Sequence, residues 1–381
     1  MAHAILSASG AYRWLACTPS ARLEQQFKDE QSPYAAEGTR AHAAAEHILA
    51  REIWPEKTFP QDAPTFDDKE MENAVRRYVD ICMEKVHEAR ARTQDADIQV
   101  EARVDFSRWV PEGFGTGDMV IVADGVLEIV DLKYGKGVPV SAENNPQMRL
   151  YALGAYEANN LFYDIKKVRM TIVQPRLDSI SSDLISIEDL LAWGESIQDT
   201  ALAAFDGKGE CNPGKHCGFC KARNNCRALA DKCRSEYKAH CDKEPKLLLD
   251  TEVAEILDLA DMITKWAKDI KDYAINMAVN EGKIWPGYKL VEGRSRRKIV
   301  DPESAANALL DADYQDIYKP LDLKGITDLT KLVGKEKLNT LIGKFIEKPE
   351  GKPTLVPLSD KREPIELKQV NVDDFDDTLV D

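Results

Sequence analysis

Apolar positions change their period several times along the 381 residues of the chain. From about residue 36 to 52, "AEGTRAHAAAEHILARE" places small or apolar residues at helical spacing, and "KEMENAVRRYVDICMEKVHEARAR" continues in that style, so two helices are predicted. The period then falls to two. "IQVEARVDF", "GTGDMVIVAD" and "VLEIVDLKY" are β-branched and alternating, and Asp124-Gly125 marks a tight hairpin between the last two, which predicts an antiparallel meander. "NPQMRLYALGAYEANN" returns to helical spacing with Pro146 suited to a first turn; "KKVRMTIVQPR" predicts one further strand and "SIEDLLAWGESIQDTALAAF" one further helix. Helices, three strands, a helix and a strand, in that order, suggest an α/β sandwich rather than an alternating doubly wound sheet.

After Asp250 the pattern narrows. Ile256, Leu259, Ile263, Trp266, Ile270, Tyr273 and Met277 alternate spacings of three and four, a coiled-coil-like seam. Beyond it, "GYKLVEGRSRRKIV" predicts a basic hairpin, and "DPESAANALLDA" and "GITDLTKLVGKEKLNTLIGKFI" predict short helices of a small accessory module. The end, "VNVDDFDDTLVD", is acidic and poor in core-forming residues, as in a flexible tail. The expected organisation is a core domain over residues 1–245, a mainly helical module over 246–365 and a tail over 366–381. No internal repeat is visible.

Composition bounds the function without naming it. With 43% hydrophobic residues the chain can bury a sizeable core, and a net charge of -15 argues against coating nucleic acid by bulk positive charge while leaving room for a local basic groove. No apolar run is long enough to span a bilayer, and "MAHAILSASGAYRWLAC" lacks a basic segment followed by an apolar one, so a cytoplasmic protein with no membrane partner is expected. No G-x-x-x-x-G-K-[ST] sequence is present, so no helicase motor is expected.

Chemistry concentrates in two places. In "LEIVDLKYGKG", Asp131 and Lys133 are two apart on a predicted strand and therefore share one face. Asp118 sits on the strand that the hairpin returns to it, so two carboxylates approach each other, as they do where a hard divalent cation lies between them. Lys133 then adds a compact positive charge that stabilises charge developing on a phosphate. The second place is "CNPGKHCGFCKARNNC", with Cys217 and Cys220 at C-x-x-C spacing and Cys226 six positions on; on spacing alone, Cys211, Cys217, Cys220 and Cys226 form a four-thiolate zinc site. Cys82, Cys233 and Cys241 read as ordinary thiols. Lys215, Lys221, Arg223, Arg227, Lys232, Arg234 and Lys238 surround this loop, either as a path for a nucleic-acid backbone or as a solvated face, and the basic run "GRSRRK" has the same two readings.

Taken together, these motifs resemble the PD-(D/E)XK nuclease superfamily in its RecB-like branch, which includes the nuclease domains of RecB and AddB and the CRISPR-associated iron–sulfur exonucleases. The match covers roughly the first 240 residues: "EGTRAHAAAEH" resembles the branch's upstream helix with His42 at the metal-site histidine, "GTGDMVIV" the second motif with Asp118, "LEIVDLKYGKG" the third with Asp131 and Lys133, and "QMRLY" the Q-x-x-x-Y element through Gln147 and Tyr151. The resemblance implies a restriction-endonuclease-like core, a central mixed sheet flanked by helices. It implies His42, Asp118 and Asp131 as ligands of Mg²⁺ or Mn²⁺, Lys133 as the catalytic lysine, and Gln147 and Tyr151 as supporting residues. The imidazole tilts the choice toward Mn²⁺. Glu46 and His47 lie where a helix could bring them near, and Glu101 in "VEARVD" is a further acid close to the site.

In the iron–sulfur members one cysteine precedes the core and three follow it, which here implies a [4Fe–4S] cluster on Cys17, Cys217, Cys220 and Cys226 in place of zinc, with Cys211 as a departure from the pattern. The implied activity is that of a metal-dependent DNA nuclease, an exonuclease, hydrolysing phosphodiester bonds in DNA recombination, repair or phage DNA replication, in a bacterial host cytoplasm. An annealing or single-strand-binding protein is the implied partner. The competing reading is a catalytically silent DNA-binding or scaffolding subunit.

Overall fold

The computed structural model describes residues 4–27, 33–59, 66–239, 249–293, 297–314, 316–319, 322–347, 349, 353–357 and 362–365. Cys241, Arg294, Ser295, Arg296, the side chains of Lys238 and Leu259, and the acidic tail lie outside the described residues. The chain divides into two compact units, Met1–Met262 and Ile263–Asp381.

The first unit opens with two short helices, α1 (Ala11–Ala16) and α2 (Ser20–Glu24), followed by the long helices α3 (Pro33–Ile53) and α4 (Lys69–Arg92). Strands β1 (Asp97–Asp105), β2 (Phe114–Ala123) and β3 (Gly125–Leu132), helix α5 (Pro146–Asn159), strands β4 (Ile165–Gln174) and β5 (Ser179–Ser186), and helices α6 (Ile187–Asp206) and α7 (Arg227–Ala239) complete its elements, and the division between the units falls within helix α8 (Asp250–Asn280). The five strands form one mixed sheet in the order β1-β2-β3-β4-β5. β1, β2 and β3 are antiparallel neighbours, β3 and β4 run parallel with α5 between them in sequence, and β5 returns antiparallel. Gly125 at φ +82° permits the tight turn that pairs Ala123 with Val126, as the Asp-Gly pair predicts.

Helices cover both faces because each strand alternates its apolar side chains. Met119, Ile121, Val130 and Leu132 pack with the stripe Ala41, Ala44, Ala45 and Leu49 of α3 and with Val75, Val79 and Val86 of α4. Val120, Val122, Leu127 and Ile129 face the other way, onto Met148, Ala152 and Leu153 of α5 and Leu190 and Ile197 of α6. Asp68 caps α4 by accepting from the Met71 amide at 2.8 Å, and Asn145 caps α5 by accepting from Gln147 at 3.0 Å, with Pro146 in the first turn. A Cβ on Gly154 would stand 2.9 Å from the Asp105 carbonyl oxygen, so this glycine lets α5 lie close against β1.

The sequence pattern predicts one strand after α5, whereas the structure has two. β5, "SISSDLIS", is an edge strand with alternating half-buried and exposed positions, and its serines hide the period-two signal. Among the described residues no helix is long and apolar enough to cross a membrane.

In the second unit, α9 (Pro302–Leu310), α10 (Ile326–Val333) and α11 (Lys335–Ile342) enclose a small core of Ala305, Ala306, Leu309, Leu329, Val333, Leu338 and Ile342. Among the described residues the two arms of the predicted basic hairpin pair elsewhere: strand β6 (Tyr288–Glu292) pairs with β11 (Pro353–Pro357), and β7 (Lys298–Ile299) pairs with β10 (Ile346–Glu347). Two further short strands, β8 (Tyr318–Lys319) and β9 (Asp322–Leu323), pair with each other. Long-range partners took the strands that local spacing would have joined.

Candidate metal centre and cysteine cluster

The β1–β2 ladder runs in one register, Val100 opposite Met119 and Ala102 opposite Gly117, yet the pair between them, Glu101 and Asp118, is missing. Glu101 has φ +51°, a left-handed conformation that a non-glycine residue adopts at a cost of about 1–3 kcal/mol. Its effect is to switch faces: Ile98 packs with the α3–α4 cluster, while Ala102 and Val104 pack with α5. At this interruption two acids turn toward each other, and α3 brings His42 over them. His42 Nδ1 lies 3.2 Å from Asp118 Oδ1, and one ligand atom each from His42, Glu101 and Asp118 lies within 4.8 Å of the other two. The second oxygen of Asp118 accepts the Leu132 amide at 2.6 Å, which fixes the carboxylate against β3.

Beside this triad lies a second group. Asp131, only 2% exposed, has its Oδ2 2.7 Å from Lys133 Nζ, and its Oδ1 accepts from Gln147 Nε2 at 3.0 Å. The Gln147 carbonyl oxygen in turn accepts from Lys133 Nζ at 3.1 Å, and its amide lies 3.4 Å from the Tyr151 hydroxyl. The Tyr151 ring packs close against β2 because position 115 has no side chain: a Cβ there would stand 2.8 Å from Tyr151 Cε1. All six residues predicted from sequence are therefore in one neighbourhood, with His42 and Asp118 in the triad and Asp131, Lys133, Gln147 and Tyr151 in the hydrogen-bonded group. Glu101, which sequence reading leaves at the margin, completes the triad; Glu46 contributes only its charge, acting on Glu101.

Electrostatics shows what the triad lacks. Burial, together with the charges of Asp118, Glu46 and Asp131, pushes the Glu101 carboxyl up to about 7, although His42 opposes this. Burial works to lower the His42 pKa, but the hydrogen bond to Asp118 and the surrounding carboxylates outweigh it and leave it raised. Asp131 is also raised, mainly by burial and against the pull of Lys133. Without a cation the site thus retains protons on its donors, and a divalent ion would supply that charge and displace them. One imidazole and two carboxylates suit Mg²⁺ or Mn²⁺. The residues fit a divalent metal.

A salt-bridge network steadies the scaffold around the triad. Arg176, at the end of β4, lies 3.1 Å from Glu37 of α3 and 3.1 Å from Glu70 of α4, with its guanidinium 4.6 Å from the centre of the Tyr134 ring. The other buried acid of β3, Glu128, is paired with Arg169 at 2.8 Å on the neighbouring strand and belongs to the sheet rather than the site.

The chain belongs to the DUF2800 family. The family model, described as a protein of unknown function, matches residues 3–363. Among solved structures, the chain is similar to a Eubacterium rectale protein provisionally named an exonuclease, at 14% identity and TM-score 0.30, over 65% of this chain and 92% of that one. It is also similar to the protein SSO0001, at 14% identity and TM-score 0.24, over 55% of this chain and 95% of that one. At that distance the chemistry has to be read from the side chains themselves.

The cysteine loop closes onto the N-terminal segment. Cys17, Cys211, Cys217, Cys220 and Cys226 line one cavity of about 20 Å³ together with His216 and Ser20. The Cys211 thiol contacts those of Cys17 and Cys226, and burial pushes it up to about 11 and Cys220 up to about 12. Hydrogen bonds hold the two ends together: Thr18 Oγ1 donates to the Lys208 carbonyl at 2.6 Å, Asn212 Nδ2 to the Ala16 carbonyl at 3.1 Å, and the Lys221 amide to Glu24 at 2.9 Å. Tetrahedral zinc at about 2.3 Å from each sulfur needs sulfurs roughly 3.8 Å apart. Among the described residues no three cysteine sulfurs lie within 4.8 Å of one another, a spread wider than one zinc ion gathers. Cys82 and Cys233 are buried elsewhere.

Proposed function

We propose that this protein is a metal-dependent DNA nuclease of the PD-(D/E)XK type, with its nuclease domain over residues 1–245, an accessory module over 246–365 and a tail over 366–381. The observation that supports this reading most strongly is the His42–Glu101–Asp118 triad set beside the Asp131–Lys133–Gln147 group at a break between two strands. Mg²⁺ or Mn²⁺ held by the triad, with Asp131 as a further acid beside it, supplies Lewis acidity to a phosphodiester and to water. Lys133 holds a fixed positive charge where the phosphate gains negative charge, and its ion pair with Asp131 keeps it aimed there. Gln147 holds the Asp131 carboxylate and the Lys133 ammonium at once, so each is pinned in one rotamer. Tyr151 screens the group from the α5 side.

The five thiols at one cavity fit a metal group, and the resemblance to the iron–sulfur nucleases supports a [4Fe–4S] cluster on Cys17, Cys217, Cys220 and Cys226 over zinc. Bound there, the group acts as a staple between the N-terminal segment and the loop after α6. The substrate is DNA, as a single strand or a duplex end, in recombination, repair or phage replication, with an annealing or single-strand-binding protein as partner.

The test uses anaerobically purified protein, end-labelled single- and double-stranded DNA, and Mg²⁺ or Mn²⁺, with Asp118→Ala and Asp131→Ala as controls. Metal-dependent cleavage lost in both variants is expected. Intact DNA with either metal would contradict the proposal and favour a DNA-binding scaffold. Colourless protein with stoichiometric zinc and no iron would overturn the cluster.

A further inference from the structure

Five free thiols meet at the cysteine cavity, and the proposed [4Fe–4S] group takes four of them. The spare one is Cys211. It is half-buried in the loop after α6, and its thiol contacts those of Cys17 and Cys226. The approach to Cys17 is held from both sides. Asn212, the residue after Cys211, donates through Nδ2 to the carbonyl of Ala16, the residue before Cys17, at 3.1 Å. Thr18, the residue after Cys17, donates through Oγ1 to the Lys208 carbonyl at 2.6 Å. Two thiols in contact, on backbones already tied on either side, need little movement to reach the geometry of a disulfide. Of the C-x-x-C pair, Cys217 is turned to its own loop instead, where its sulfur accepts the Gly214 amide at 3.4 Å.

We infer that Cys17 and Cys211 are a disulfide-forming pair, which closes once the metal group has left the cavity and keeps the N-terminal segment fastened to the loop after α6. Cys211 is the less buried of the two, since Cys17 is only 8% exposed, so Cys211 reacts first. Its thiolate attacks a low-molecular-weight disulfide, such as oxidised glutathione, and one reduced glutathione leaves. The Cys17 thiolate then attacks the Cys211 sulfur of the mixed disulfide, and a second reduced glutathione leaves. The two cysteines give up two protons and two electrons, and the oxidised glutathione takes them up as it becomes two thiols. The new bond closes a loop of about 200 residues, the long-loop case in which a cross-link restricts the unfolded chain most. It also withholds Cys17 from the metal group, so reduction has to precede loading. The bond itself rests on the thiols alone; its role as a gate on loading rests on the cluster reading.

The experiment strips the full-length protein of metal with a chelator under reducing conditions and moves it anaerobically into buffer with oxidised glutathione. Remaining thiols are alkylated and tryptic peptides mapped by mass spectrometry. Cys17, Cys211 and Cys226 fall on separate peptides, residues 14–22, 209–215 and 224–227. A link between the first two should be the main product and should be reversed by dithiothreitol. It should raise the melting temperature of the metal-free protein by about 5–15 °C over the reduced form. Cys211→Ser should keep its iron as purified, form no link, and gain nothing in melting temperature from oxidised glutathione. A bond from Cys211 to Cys226, a bond between Cys217 and Cys220 within residues 216–221, or glutathione adducts that never resolve would overturn the inference. So would a Cys17–Cys211 link that leaves the melting temperature unchanged. Linked protein given ferrous iron and sulfide should take up iron only after dithiothreitol is added; uptake without it would overturn the gate. The two readings fail separately: a link in protein that never takes up iron sinks the cluster alone, and iron-loaded protein that forms no link once stripped sinks the disulfide pair alone.

Discussion

Replacing Glu101 with glutamine should stabilise the metal-free protein and abolish its response to metal. The carboxyl titrates at about 7 instead of 4.5, a gap of about 2.5 pH units, because it is partly buried beside Asp118, Glu46 and Asp131. At about 1.36 kcal/mol per unit the ceiling is about 3.4 kcal/mol, and because the group still sees solvent the effective figure is about 1–2 kcal/mol. The folded chain binds this proton more tightly than the unfolded one. The contribution of Glu101 to stability is therefore intact below pH 4.5, declines as pH rises toward about 7, and is lost above it. Glutamine never ionises, so in urea titrations without divalent cation Glu101→Gln should match the wild type at pH 4.5 and exceed it by about 1–2 kcal/mol at pH 8. Adding Mn²⁺ at one hundred times its dissociation constant should stabilise the wild type by about 2.7 kcal/mol and leave the variant nearly unchanged. A variant less stable than the wild type at pH 8, or a difference independent of pH, would refute the reasoning.

Other substitutions separate the parts of the site. Lys133→Met leaves Asp131, 2% exposed, without its ammonium, and should cost about 3–5 kcal/mol by urea denaturation near neutral pH, and less in acid where Asp131 takes up a proton. Gly115→Ala drives a methyl group into Tyr151, and should cost about 1–3 kcal/mol of stability and lower the cleavage rate while leaving Mn²⁺ affinity unchanged in a binding titration. Iron analysis of Cys17→Ser and Cys211→Ser should find iron lost from the first and retained in the second; the reverse would make Cys211 the fourth ligand.

Much of the fold follows from local period. The α3 and α4 stripes, the Asp124-Gly125 turn and the shared face of Asp131 and Lys133 are short-range patterns, and the structure preserves each. Glu101 escapes the same logic. Strand alternation holds only while the backbone stays extended, and the positive φ at Glu101 interrupts it, so counting along the strand alone does not single this acid out as a partner of Asp118. The serine-rich β5 is hidden because a half-buried edge strand needs few apolar side chains. The hairpin reading of the "GYKLVEGRSRRKIV" segment failed for a different reason: the partners of β6 and β7 lie about fifty or more residues along the chain, and spacing reports only neighbours.

The position of the cation tests the account most directly. Anomalous diffraction at the manganese edge, from crystals soaked in Mn²⁺, should place one peak among His42, Glu101 and Asp118, within about 2.0–2.4 Å of their donor atoms. A peak elsewhere, or none at saturating metal, would contradict the account.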